Sequence, residues 1–138
     1  MSRSLGRERV YQILFSEDFL IKDNQMKWQD TLNNFRKEDW EVSAEDLEYI
    51  TTICNGVFSK YTEIVEIINK NLKGYTLSKL YKTDRTALLI AVYELKWTDT
   101  PQKVIINEAV ELSKKYGTDK SPAFVNGVLS GILREINE

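Results

Sequence analysis

The sequence predicts an all-α protein, a single-domain bundle of six or seven helices, and three observations carry that reading. Apolar residues recur at spacings of three and four nearly throughout, while strand-type alternation is scarce. Only two prolines occur, Pro101 and Pro122, and both stand where helices begin rather than inside them. A chain of 138 residues, 42% apolar and 29% charged, is long enough to bury a sizeable core without staples, so residues 1–138 are expected to form one domain.

Taken in order, Ser4 is placed to cap a first helix running to about Ile21, anchored by Val10, Ile13, Leu14 and the run from Phe19 to Ile21. Trp28, Leu32 and Phe35, spaced by four and three, mark a short second helix. Ser43 is a good N-cap for the next, with Glu45 and Asp46 in its electropositive first turn. Leu47, Ile50, Cys54, Val57, Tyr61, Ile64 and Ile68 then form one apolar stripe, compatible with one bent helix or with two. Gly74 suits the left-handed position just past a helix end.

Thr83 is a candidate cap for the following helix. There Ala87 to Tyr93 is apolar at every position, which predicts a central helix covered on most sides. Pro101 opens another, with Ile106, Ala109, Val110, Ser113 and Tyr116 facing inward and Gly117 ending it. Ser121–Pro122 reads as an N-cap followed by proline at the first helical position, and Val125, Val128, Leu129, Ile132 and Ile136 point inward. Asn126–Gly127 is a turn signal elsewhere, but here the strong period outweighs it. Gly127 and Gly131 share a face, and each costs about 1 kcal/mol of helix propensity relative to alanine. Close approach of a neighbouring helix, or of a ligand backbone, would explain them.

Composition removes several function classes. With no histidine, serine–histidine and cysteine–histidine nucleophile pairs and histidine metal sites are impossible. Cys54 is the sole cysteine, so no intramolecular disulfide or thiolate metal cluster can form, which fits a reducing compartment. No run approaches the ~18 apolar residues of a membrane helix, and residues 1–10 lack the apolar stretch of a signal peptide. A cytoplasmic protein with no cofactor and no membrane partner is expected. Glu108 and Glu111 share a helix face, but nothing beside them supplies the perturbing environment of an acid–base pair, so a structural or solvated role is expected. The net charge of −2, from 19 basic and 21 acidic residues, argues against non-specific coating of nucleic acid. Any such contact must come from a local basic patch.

Several segments then carry a family signature. Val104-Ile105-Ile106-Asn107-Glu108-Ala109-Val110-Glu111-Leu112 follows Pro101, and Phe124-Val125-Asn126-Gly127-Val128-Leu129 lies in the last helix, with Lys114-Lys115-Tyr116-Gly117 between them. Upstream stand Asp84-Arg85 and then Ala91-Val92-Tyr93-Glu94-Leu95, and near the start Gly6-Arg7-Glu8-Arg9-Val10-Tyr11-Gln12-Ile13-Leu14-Phe15. In this order and spacing they resemble the NusB family of transcription antitermination factors. The resemblance implies an all-helical fold of two packed halves, without catalysis. It implies binding of single-stranded boxA RNA in nascent ribosomal RNA transcripts, together with a small-subunit ribosomal protein acting as NusE, in an assembly that joins RNA polymerase.

Candidate site residues follow. Arg3 and Arg7 are four apart on one helix face, where basic side chains meet phosphate oxygens; the bland alternative is a solvated helix end. Lys120 and Phe124 bracket the start of the last helix, where a lysine, a helix N-terminus and an aromatic suit an unpaired strand; the alternative is an ordinary helix start with a core phenylalanine. By the resemblance, Arg3, Arg7, Lys120 and Phe124 bind RNA, and Phe15 and Asp84 bind the ribosomal protein. Asp84 would otherwise be a dipole-favourable acid in a first turn. Ser2, Ser4 and Leu5 thin out the arginine cluster usual in the family, so tight RNA binding is expected only with the partner. Two other readings stand beside this one. One is a helical protein–protein interaction module. The other is the RNA-binding module of a ribosomal-RNA methyltransferase system, for which no glycine-rich nucleotide-binding segment is present.

Overall fold

A computed structural model describes residues 3–16, 28–38 and 40–138. Among the described residues seven α-helices follow one another: α1 (Arg3–Phe15), α2 (Trp28–Glu38), α3 (Ala44–Ser59), α4 (Tyr61–Lys70), α5 (Lys82–Trp97), α6 (Gln102–Tyr116) and α7 (Ser121–Asn137). A short 3₁₀ turn, Leu77–Lys79, precedes α5. No strand occurs among the described residues, and the all-α expectation is met.

Helix α5 is the hub, as its unbroken apolar run predicts: Ala87 to Val92 are all buried, and α1, α3, α4, α6 and α7 pack around it. One contiguous cluster joins Ile13, Leu14, Ile50, Ile64, Leu88, Leu89, Ile105 and Leu129. Gly56 lets α3 and α5 approach: a Cβ there would lie 2.1 Å from the Tyr93 ring.

The long stripe resolves into two helices. Lys60 leaves helical geometry at φ −106° and ψ 12°, ending α3 and starting α4. Ile50, Cys54, Val57, Ile64 and Ile68 are buried as expected, whereas Leu47 and Tyr61 lie at the margin. Ser43 caps α3 through its hydroxyl, which accepts the Asp46 N–H at 3.1 Å. Trp28 and Leu32 of α2 are buried, and Phe35 stacks on Trp40 with centroids 4.2 Å apart.

Several helix boundaries differ from the sequence reading. α1 stops at Phe15, and Ser4 lies within it rather than capping it; Phe19 to Ile21 fall outside the described residues. α5 begins at Lys82 with Tyr81 at the cap position, so Thr83 is already helical. Ser121 is the first residue of α7 rather than its cap. Its hydroxyl instead accepts the Thr118 N–H at 2.9 Å, closing the turn between α6 and α7. The inner face of α6 is rotated: Ile105, Ala109, Leu112 and Ser113 are buried, while Ile106, Val110 and Tyr116 are half-buried. The cause is that α6 packs against both α5 and α7, so its buried arc is set by two neighbours.

Asn126–Gly127 is helical, as the period required. A Cβ at Gly131 would stand 2.7 Å from the Asn71 side chain beyond the end of α4, but nothing lies within 4 Å at Gly127. Close packing therefore accounts for one glycine only. Gly74 takes φ +82°, in the turn beyond α4 rather than directly at its end.

Candidate nucleic-acid interface

The sequence-derived candidates separate into two environments. Arg7 is in the first: it is only 2% exposed. Its Nε donates to Glu94 Oε1 at 2.8 Å and its Nη2 to Glu94 Oε2 at 2.9 Å, a two-pronged pair. Nη1 lies 3.6 Å from Glu108 Oε1, and the guanidinium carbon sits 5.7 Å from the Tyr49 ring centre. Tyr49 donates its hydroxyl to Glu94 at 3.1 Å. Burial opposes the charge on Arg7, but the hydrogen bond and charge of Glu94 outweigh it and hold the guanidinium protonated. These contacts turn the Arg7 donors inward and tie α1 to α3, α5 and α6, whereas the sequence reading expects them at RNA phosphates. Arg3 opens α1, and its side chain lies outside the described residues. Arg9 lies against Trp40, its guanidinium carbon 4.1 Å from the ring centre.

The second environment is an open groove of about 850 Å³. Its walls are the residues before α5 and those around the start of α7: Tyr75, Lys79, Leu80, Tyr81 and Asp84 face Thr118, Asp119, Lys120, Ser121 and Phe124. Three candidates, Asp84, Lys120 and Phe124, thus come together although 40 residues separate the last two from the first at their farthest. Lys120 is exposed and Phe124 half-buried, its inner edge against the core. Asp84 is 6% exposed, and its Oδ1 finds no hydrogen-bond donor among the described residues. A buried carboxylate oxygen left unpaired costs free energy, and a donor entering the groove would recover it.

Sequence reasoning missed Tyr75, Lys79 and Tyr81. Tyr81 is 69% exposed, the most open large hydrophobic side chain among the described residues, and Tyr75 is 42% exposed. The signal was present as two tyrosines and two lysines interleaved from Tyr75 to Lys82. Exposed rings between lysines suit a single strand, because every base has a face to stack and every phosphate a charge to pair.

Phe15 lies on the other side of the α5 start. It is 36% exposed and stacks on Tyr11, and the Lys82 ammonium lies 5.0 Å from its ring centre. It borders a cleft of about 400 Å³ with Tyr11, Phe35, Trp40 and Tyr116. Tyr11 donates to the Thr83 carbonyl at 3.0 Å, so the residue beside Asp84 is fixed to the helix that carries Phe15. Burial and the charge of Asp84 push the Tyr11 phenol well above its usual range, which keeps it a donor.

The acid pair considered in the sequence is divided. Glu108 faces Arg7 and accepts the Ser4 hydroxyl, whereas Glu111 pairs with Lys114 at 3.3 Å on the surface. Among the described residues no three acidic or cysteine side chains gather in a way that could hold a metal ion. None of the described helices is long and apolar enough to cross a membrane.

Comparison with known proteins agrees with this architecture. Residues 2–134 match the NusB family. The transcription antitermination protein NusB of Clostridium novyi is 39% identical, with 97% of this chain and 99% of that protein aligned. Its counterpart in Staphylococcus carnosus is 42% identical over 96% of this chain and 99% of that one. Among solved structures, NusB of T. maritima superposes with a TM-score of 0.84 at 30% identity, covering 98% of this chain and 92% of that one. A chain from a complex of the antitermination factors NusB and NusE with double-stranded RNA gives 0.81 at 25% identity, covering 96% of each. The motifs, the seven-helix architecture and the near-complete alignments agree, and the chain belongs to the NusB family.

Proposed function

We propose that the protein is a transcription antitermination factor that binds the boxA RNA of nascent ribosomal RNA transcripts together with the small-subunit ribosomal protein NusE. It acts as a cytoplasmic, non-catalytic, single-domain adaptor to RNA polymerase. The observation that carries this reading is the groove in which Lys79 and Lys120 flank the exposed rings of Tyr75 and Tyr81 and the half-buried ring of Phe124. Unpaired bases stack on such rings, and the lysines meet the phosphates. Family membership supports it, as does the solved NusB–NusE–RNA complex of a structural neighbour.

Phe15 and Asp84 form the partner face. They flank the first turn of α5, one offering an apolar ring and the other a carboxylate oxygen in need of a donor. A basic side chain of the ribosomal protein would satisfy Asp84. Arg7 contributes by fixing α1, the helix that carries Phe15, while Arg3 retains its expected role at phosphate. The net charge of −2 suits a shared interface to which the partner adds positive charge.

The test is fluorescence anisotropy of labelled boxA-type RNA against the protein, with and without NusE, beside a scrambled RNA. The expected result is weak binding alone, tighter binding with NusE, and preference over the scramble. Equal affinity for both RNAs in the presence of NusE would refute the reading and leave a helical protein-interaction module.

A further inference from the structure

Beside the 3₁₀ turn lies a second cleft, of about 270 Å³. It is lined by Tyr61, Val65, Asn69, Leu77, the Thr76–Ser78 hydroxyl pair and Arg85, and no acidic residue borders it. Arg85 belongs to the first turn of α5 and is half-buried, yet its guanidinium has neither an ion pair nor a hydrogen bond among the described residues. Asn69 and the Thr76–Ser78 pair add further polar groups to the lining. Asn69 Oδ1 is taken up by the Leu77 N–H at 2.8 Å, so the amide group has only N–H left to offer. Thr76 Oγ1 and Ser78 Oγ are 3.0 Å apart and share one hydrogen bond, which leaves one hydroxyl proton of the pair free.

A guanidinium, an amide and a hydroxyl converging without a carboxylate form a site for a tetrahedral anion, since arginine pairs phosphate through two parallel N–H donors. We propose that this cleft holds one phosphodiester of the RNA strand whose bases occupy the groove. Thr76, Leu77 and Ser78 line the cleft, whereas Tyr75, Lys79, Leu80 and Tyr81 line the groove. A strand laid across the turn therefore reaches both. The inference rests on the RNA-binding reading and adds a fixed point to it: the guanidinium sets the register of the strand, and the rings of the groove accept its bases.

The experiment titrates labelled boxA-type RNA, in the presence of NusE, with the wild-type protein, Arg85→Ala, Arg85→Lys and the surface control Lys103→Ala, across a salt series. Arg85→Ala is expected to weaken binding about tenfold, the loss of one charge-assisted contact, and to lower the log–log salt slope by about 0.7. Arg85→Lys should restore the slope but only part of the affinity, because an ammonium lacks the planar fork. A series of RNAs carrying one neutral methylphosphonate each should show a single position that weakens wild type and has no effect on Arg85→Ala. Thermal melting of each variant separates binding loss from unfolding. If wild type shows no preference for boxA, the RNA-binding reading itself fails. If wild type binds with preference and Arg85→Ala matches it in affinity and slope, the phosphate site is overturned while that reading stands. Loss of NusE binding by Arg85→Ala, with an unchanged RNA salt slope, also overturns it and gives the cleft to a carboxylate of the protein partner.

Discussion

The interior around Arg7 and the groove around Asp84 use the same materials to opposite ends. Each joins a buried charge to aromatic rings at the meeting of several helices. In the interior the charges are matched: Arg7 meets Glu94 through two hydrogen bonds, with Tyr49 and Glu108 alongside. In the groove they are not: Asp84 keeps an oxygen unpaired among the described residues, Lys120 is open to solvent, and Tyr81 is 69% exposed. A network complete within the chain serves the fold, whereas one that lacks its partners is completed by something else. Substitutions in the first should thus appear in stability, and substitutions in the second in binding.

The largest effect is expected inside. Glu94→Ala strands the Arg7 guanidinium in the core beside only the more distant Glu108, and breaking a buried pair in this way costs about 3–5 kcal/mol. Chemical denaturation measures it directly. Replacing both partners by apolar residues, Arg7→Met with Glu94→Leu, should recover most of that loss, because no charge is then left buried without a partner. If Arg7→Met with Glu94→Leu folds normally and loses RNA affinity, Arg7 belongs to the binding surface after all and the division between the two regions breaks.

In the groove the cleanest probe is Tyr81→Ala. The ring is mostly solvent-exposed, so stability should change by no more than about 0.5 kcal/mol. Removal of one stacking platform should weaken boxA-type RNA binding by about 1–3 kcal/mol. Phe124→Ala should show a similar binding loss and an added stability cost, since Phe124 also packs on the core. Anisotropy and melting curves on the same samples distinguish the two. A Tyr81→Ala protein that melts early but binds RNA normally would make the tyrosine structural.

The contrast also explains what the sequence revealed. The helices were legible because their apolar faces repeat every three to four residues, and Ser43 capped α3 as its residue type suggested. Caps at Thr83 and Ser121 were misplaced because a hydroxyl near a helix start can serve any nearby N–H, and Ser121 serves the preceding turn. Asp84 and Phe124 lie in the family motifs and Lys120 beside the start of the last helix, and the structure brings the three to one groove. The fate of Arg7 was hidden because its partner, Glu94, lies 87 residues away. The clue was Glu94 itself, an acid between the apolar run of α5 and Leu95, which calls for a buried cation. Tyr75, Lys79 and Tyr81 escaped because loop residues carry no period.

Gly127 provides a finer test. Its neighbour on the same face, Gly131, faces the Asn71 side chain, which must shift to admit a methyl group, so Gly131→Ala should gain less stability than Gly127→Ala. At Gly127 there is open space, and alanine should stabilise α7 by about 1 kcal/mol through helix propensity alone. RNA binding should be unchanged if the strand stays within the groove at the start of α7. A stabilised Gly127→Ala protein with weakened RNA binding would extend the interface one turn further along α7 and identify ligand approach as the reason for the glycine.

The smallest effect concerns Glu8, an ionic contact outside both regions that ties α1 to α6 through Lys115 and the Tyr116 hydroxyl. Partial burial alone would raise its pKa, but the hydrogen bonds from Lys115 and Tyr116 outweigh that and hold the carboxyl below its ordinary 4.5. Because the folded state favours the ionised form, Glu8 stabilises the fold fully above the unfolded value, and that contribution disappears as pH falls through the lowered folded value. Urea midpoints should therefore decline as the pH drops below about 4.5, and Glu8→Gln should flatten that part of the decline while lowering the midpoint at neutral pH. Glu111→Gln is the control, since Glu111 is 65% exposed and its pair with Lys114 is solvated. Equal pH profiles for wild type and Glu8→Gln would mean that Glu8 adds nothing to the α1–α6 tie, which is then carried by Arg7 and Ser4 on Glu108, Gln12 on Tyr116, and Tyr11 stacked on Tyr116 at 4.8 Å.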